Sequence, residues 1–184
     1  SGQMHLITQI DTSQLPPEAE PVEVVLPDAD GSSTAESATM ADPAGVIDVM
    51  VIYTATAQLH AGSEAAMVNL INLTISETNT SYANSDVAQR LRLVHTASVT
   101  YTEVSSFGTN LSRVRSGSGT GLSGVAALRN QYGADLVAML IHPASPSACG
   151  IAYVMTTVST NFASAGYSVT DTGCLSPNYT FAHE

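Results

Sequence analysis

Eight consecutive residues, Val46–Tyr53 (VIDVMVIY), constrain this chain more than any other stretch. All are apolar except Asp48, and β-branched side chains dominate. A strand with one wet face alternates polar and apolar residues. A strand that is apolar throughout must be covered on both faces, which is the situation inside a parallel sheet with helices on either side. The run therefore predicts a central strand and an α/β architecture around it.

The residues that follow fit this expectation. Thr54 to Ala61 turns the chain. Ser63 is suited to cap a helix, with Glu64 in its first turn. Val68, Ile71, Ile75 and Tyr82 recur at spacings of three, four and seven, which predicts a helix over 63–83 with Met67 and Leu70 flanking its apolar face. Arg90 to Tyr101 alternates like a strand with one wet face. Residues 105–121 are polar and glycine-rich and read as a loop. Leu122 to Tyr132 predicts a second helix stopped by Gly133, and Asp135 to Ile141 another buried strand. Gly150 to Met155 and Tyr167 to Asp171 read as short strands. Strand, helix, strand, helix, strand implies a mostly parallel sheet.

Residues 1–45 differ. They hold eight acidic side chains, no basic ones and five prolines, whereas the remainder holds eight acids and all five arginines. Such a segment cannot build a core. It reads as an extended arm, with short strands at Met4–Ile10 and Val22–Leu26, followed by a flexible linker over 28–44. The two parts of the chain are thus 1–45 and 46–184.

The net charge of −11, with no lysine at all, excludes the cationic footprint of a nucleic-acid binder or of an anionic membrane surface. No apolar run reaches the ~18 residues of a membrane span. No export signal is visible; in an exported protein it would have been removed. Cys149 and Cys174 read as one disulfide in an oxidising compartment and as two thiols in the cytosol. Gly119, Gly121 and Gly124 match a dinucleotide-binding pattern, but no hydrophobic strand precedes them, so they read as a surface loop. Walker and nucleophile-elbow motifs are absent. His5, His60, His95 and His142 do not share metal-ligand spacing and read as surface or core-edge histidines. Asn72, Asn79, Asn110 and Asn178 fall in glycosylation triplets of the kind a Ser/Thr-rich chain produces by chance.

The final residues, Thr180-Phe181-Ala182-His183-Glu184, match the opening of the helical zinc motif H-E-x-x-H, in which two histidines one turn apart hold the metal and the glutamate activates water. Five further segments accompany them in order: Ile47–Thr54 (IDVMVIYT), Glu77–Ser85 (ETNTSYANS), Arg90–His95 (RLRLVH), Tyr132–Val137 (YGADLV) and Cys149–Tyr153 (CGIAY). Together they resemble the reprolysin-like branch of the metzincin zinc endopeptidases, and within it the bacterial peptidyl-Asp metalloendopeptidases. The likeness spans about residues 46–184.

The resemblance implies a metzincin-like upper subdomain: a twisted, mostly parallel five-stranded sheet with an antiparallel edge strand after Cys149 and two main helices. It implies that His183 is the first zinc ligand and Glu184 the general base. It implies that an extended peptide substrate lies along the edge strand, bonded to the main chain of Gly150, Ile151 and Ala152. A Cys149–Cys174 disulfide would tie that strand to the segment before the active-site helix. Residues 1–45 resemble the end of a pro-segment, with Leu15-Pro16-Pro17-Glu18 as the familiar part, and this arm would associate with the domain. The family motif continues beyond Glu184 to two more histidines. The expectation is therefore a secreted, monomeric zinc endopeptidase that cuts on the amino side of Asp, of which this chain is an inactive piece cut inside the motif. It would bind no zinc tightly, because a catalytic zinc needs three protein ligands. The charge selecting Asp would lie after Glu184 rather than among the five arginines. The alternative is a non-enzymatic secreted α/β binding or adhesion module.

Overall fold

The computed structural model describes residues 11–24, 45–175 and 179–184. Its centre is a six-stranded sheet. In chain order the strands are β1 (Val22–Glu23), β2 (Val46–Thr54), β3 (Arg90–Val99), β4 (Leu136–Ile141), β5 (Gly150–Val154) and β6 (Tyr167–Asp171). In space they run β1-β5-β6-β4-β2-β3. All neighbours are parallel except β5 and β6, which pair antiparallel. The expected mostly parallel sheet with an antiparallel strand after Cys149 is thus present. It has six strands rather than five because the N-terminal arm adds β1 outside β5.

Strand β2 is buried from Asp48 to Thr54. Its alternation divides the core. Met50 and Ile52 face one apolar cluster, and Val49, Val51 and Tyr53 face the other. The one charge in the run is neutralised in place. Both oxygens of Asp48 accept from Arg92 on β3, each at 2.6 Å, and Asp48 N donates to Asp135 Oδ2 at 2.8 Å. Asp48 is 5 % exposed, and a carboxylate so buried is tolerated only when its oxygens are bonded.

The helices are α1 (Ala55–Ala61), α2 (Glu64–Asn84), α3 (Phe107–Ser116), α4 (Val125–Tyr132) and the short α5 (Thr180–His183). Residues of α1, α2 and α5 pack into the cluster containing Val51, while α3 and α4 pack into that containing Met50. Ser63 caps α2 as predicted, its hydroxyl accepting from Ala66 N, and Gly133 ends α4 in the left-handed conformation. The buried stripe of α2 is Met67, Ile71, Thr74, Ile75 and Thr78, so it is rotated from the predicted line toward Met67 and admits threonines. The predicted turn over Thr54–Ala61 is α1, capped by the Thr54 hydroxyl. The predicted loop over 105–121 contains α3. There Phe107, Leu111 and Val114 face the core and buried Asn110 bonds Tyr101 and both polar groups of the Val104 backbone.

Of the predicted arm strands, Val22–Leu26 is a strand over Val22–Glu23 only, with 25–26 outside the described residues, and Met4–Ile10 and the linker over 28–44 also lie outside them. The described part of the arm packs on the domain. Cys149 N donates to Pro17 O at 2.8 Å, Ala19 N donates to Gly150 O at 3.1 Å, and Val22 and Glu23 pair with Tyr153 and Val154. Cys149 and Cys174 form a disulfide across 25 positions of sequence, joining the start of β5 to the turn after β6.

Candidate active site

Helix α5 brings the terminal residues under β5. Tyr179 enters it with positive φ, and α5 lies against α2, with Phe181 packed beside the Val51 cluster. Thr180 is fully buried, and its hydroxyl donates to Glu18 Oε1 at 2.6 Å. Two residues 162 apart in sequence thereby close the arm onto the candidate helix.

Glu184 turns back against β5. A Cβ built on Gly150 would stand 2.5 Å from Glu184 Oε1 and 2.7 Å from Thr180 Cγ2. The absence of a side chain at Gly150 is what lets the carboxyl reach the strand. Burial first, then the Glu18 carboxylate and a hydrogen bond to it, push the Glu184 carboxyl up to about 8. Glu184 Oε1 is buried without a hydrogen-bond partner among the described residues. A protonated or proton-accepting carboxyl held in low dielectric beside a strand edge is equipped for general acid–base work.

His183 is exposed on the last turn of α5, while Ile151 and Ala152 are buried in β5 with Gly150. The predicted site residues Gly150 and Glu184 therefore meet, joined by Thr180, which the sequence did not single out as a site residue, whereas His183 faces outward. Among the described residues no group of three or more His, Cys, Asp or Glu side chains could hold a metal. One imidazole and one carboxyl from a single turn do not make a zinc site, so the residues present do not fit the metal by themselves.

A second cluster escaped the sequence. His60 of α1 and His142 after β4 stack at 3.7 Å, His142 Nδ1 pairs with buried Asp171 at 2.8 Å, and His60 Nδ1 bonds Thr172 Oγ1. Burial and His142 lower the His60 pKa, which Asp171 partly restores. The two histidines are far apart in the chain, and only the meeting of α1 with the ends of β4 and β6 joins them. No spacing rule would have found them. Their Nδ1 atoms are committed to Asp171 and Thr172, and they read as a structural tie.

Comparison with known proteins bears on the family of the chain. Residues 44–184 match the family model of the reprolysin-like metallopeptidases, family M12B. The chain is 30 % identical over 185 residues to a peptidyl-Asp metalloendopeptidase of Xanthomonas campestris pv. campestris, covering 98 % of this chain and 42 % of that protein. It is 31 % identical over 191 residues to a peptidyl-Asp metalloendopeptidase of Stenotrophomonas maltophilia, covering all of this chain and 43 % of that protein. The chain thus spans less than half the length of these curated relatives. Among solved structures, a chaperone–substrate complex superposes with a TM-score of 0.56 at 19 % identity, over 68 % of this chain and 20 % of that one, a likeness of fold alone. Matched over most of its length, with the motif's glutamate set against the antiparallel strand, the chain belongs to the reprolysin-like metallopeptidase family M12B.

Proposed function

We propose that this chain supplies the upper part and N-terminal arm of a zinc-dependent endopeptidase that hydrolyses peptide bonds on the amino side of aspartate. The observation that carries the reading is the outer edge of β5. It already holds an extended main chain, residues 17–23, beside the half-buried carboxyl of Glu184. An edge that accepts one extended segment through main-chain bonds is chemically fit to accept another, with affinity from the backbone and selectivity from pockets.

In this reading Glu184 takes a proton from the attacking water and delivers it to the departing amine. Gly150, Ile151 and Ala152 present the edge that aligns the peptide. The family implies zinc in the intact protein, to which His183 would contribute one ligand. The metal would supply polarisation of the scissile carbonyl. The arm occupies the place of the substrate and so acts as a pro-segment that keeps the enzyme latent. The Cys149–Cys174 disulfide supports an exported, oxidising setting.

The test uses the full-length protein on peptides that differ only in Asp or Ala after the scissile bond. Hydrolysis should require metal, prefer Asp and fall by at least about a hundredfold in Glu184→Gln. It should rise when residues before Val46 are removed. Undiminished hydrolysis by Glu184→Gln would overturn the reading.

A further inference from the structure

A cavity of about 860 Å³ opens beyond the C-terminal end of β5, lined by Arg115, Arg129, Met155 and residues of the 3-10 turn Thr160–Ala165. Tyr153 and Tyr167 stand on the strands beside it. Arg115 lies over the Tyr153 ring at 4.9 Å and Arg129 over the Tyr167 ring at 5.4 Å. The two guanidinium groups also bond consecutive carbonyls of the same turn. Arg129 Nη1 donates to Ala163 O, and Arg115 Nε donates to Ser164 O at 3.0 Å. Arg129 is further tied to Ala134 O and Asp135 O. Arg115 is not: among the described residues its two terminal nitrogens have no hydrogen-bond partner and no carboxylate pairs with it. Among the described residues the only acid lining the cavity is Asp135, which accepts Asp48 N through Oδ2.

We infer that Arg115, braced by Arg129, forms a subsite for the carboxylate of an extended acidic peptide lying along β5. This rests on the reading of β5 as a peptide-binding edge and adds to it a charge selected several residues away from Glu184. The register fixes the position. Val22 opposes Tyr153 and packs into the same apolar cluster as Tyr153. Side chains alternate along a strand, so the peptide residue two places further, where the arm has Val24, faces the arginine side. Two residues of strand advance the chain about 7 Å, which takes it past Val154 to the cavity mouth. A guanidinium held over a ring, with its two terminal nitrogens unbonded, is pre-organised for a carboxylate fork. The arm places valine there, so the subsite would be open to a substrate acid rather than spent on the arm.

The arm itself provides the first test. In the 184-residue chain, Val24→Glu should raise the exchange protection of the Ala19 and Cys149 amides about tenfold, and the gain should vanish in Val24→Glu combined with Arg115→Gln. Arg115→Gln alone should leave protection unchanged. The second test is hydrolysis by the full-length protein of peptides carrying Glu or Gln at that position. A preference for Glu of about tenfold, lost in Arg115→Gln and retained in part by Arg115→Lys, is expected. Equal protection by Val24→Glu with and without Arg115 overturns the subsite. If the arm cycle holds but no peptide is cleaved, the subsite stands and the peptidase reading falls. If peptides are cleaved without regard to acid at that position, the peptidase reading stands and the subsite falls.

Discussion

The pairing of Glu18 with Glu184 makes the grip of the arm depend on pH, and Glu18→Gln should remove that dependence. With the arm docked, the Glu184 carboxyl is raised from 4.5 to about 8 by burial and by Glu18. A carboxyl whose pKa is raised in the docked state is favoured there in its protonated form. Docking is therefore fully stable below about 4.5, where Glu184 is protonated docked or free, and weakens as pH climbs from 4.5 through about 8. At 1.4 kcal/mol per pH unit the whole span sets an upper limit near ~5 kcal/mol. Part of this belongs to burial rather than to Glu18, and solvent reaches the carboxyl, so about 1–2 kcal/mol is left for the arm. The opening of residues 17–23 should accordingly increase roughly tenfold between pH 5 and pH 9. Glu18→Gln keeps an oxygen that can accept from Thr180 and gives an ionised Glu184 an N–H to accept from, so its docking should stay flat with pH. Protection factors of the Ala19 and Cys149 amides, whose N–H groups bond across the junction, report the effect directly. Protection that does not change from pH 5 to pH 9 in the native chain would refute the reasoning. So would a Glu18→Gln chain that weakens as steeply as the native one.

Gly150→Ala places a methyl 2.5 Å from Glu184 Oε1 and 2.7 Å from Thr180 Cγ2. It should cost about 1–3 kcal/mol in denaturant unfolding and bring the Glu184 pKa back toward 4.5; an unchanged midpoint and pKa would contradict the described contact. Calorimetric titration of this chain with zinc should show no tight stoichiometric event, because His183 is a lone ligand; one tight equivalent per chain would disprove this. Replacing both Cys149 and Cys174 by serine should lower stability by about 3.5 kcal/mol, the chain-entropy value for a loop of this length, read from the urea midpoint. An unaltered midpoint would show that the bridge adds nothing to the fold.

The sequence revealed those elements whose residues are their own signal. β4 is apolar throughout and the β2 run Val46–Tyr53 is apolar but for Asp48, a composition that belongs to a doubly covered strand. Ser63 and Gly133 marked helix ends because caps and left-handed stops depend on a single residue type. Helix α3 was hidden by its polar, glycine-rich surroundings, although Phe107, Leu111 and Val114 have helical spacing; Asn110, buried and fully bonded, broke the apolar pattern. Helix α1 is seven residues long, too short for periodicity to show. The antiparallel direction of the strand after Cys149 was legible only through the resemblance, and the spatial order of the strands was not legible at all. Of the candidate site, the motif residues His183 and Glu184 stood out, while the Glu18–Thr180 bond and the His60–His142 stack depend on distant segments meeting in the fold.

The sheet treats its two outermost strands on this side differently, and that difference bears on latency. β5 is held permanently: three residues pair with β6, Gly150 to Ala152 are buried, and the Cys149–Cys174 bridge fixes its start. β1 is held by two residue pairs, a partly buried Val22 and the contacts of residues 17–19. Two-residue strands contribute little by themselves, and none of the large buried side chains of the two core clusters comes from the described part of the arm. Removing the arm would therefore expose the outer edge of β5 without dismantling the layers beneath it. A sheet that must admit an extended peptide needs an edge that survives the loss of its partner. The bridge, the close approach of Glu184 to Gly150 and the weak pairing of β1 together provide one. In the proposed reading the arm would be the exchangeable strand, and β5 the fixed one against which a replacement would align.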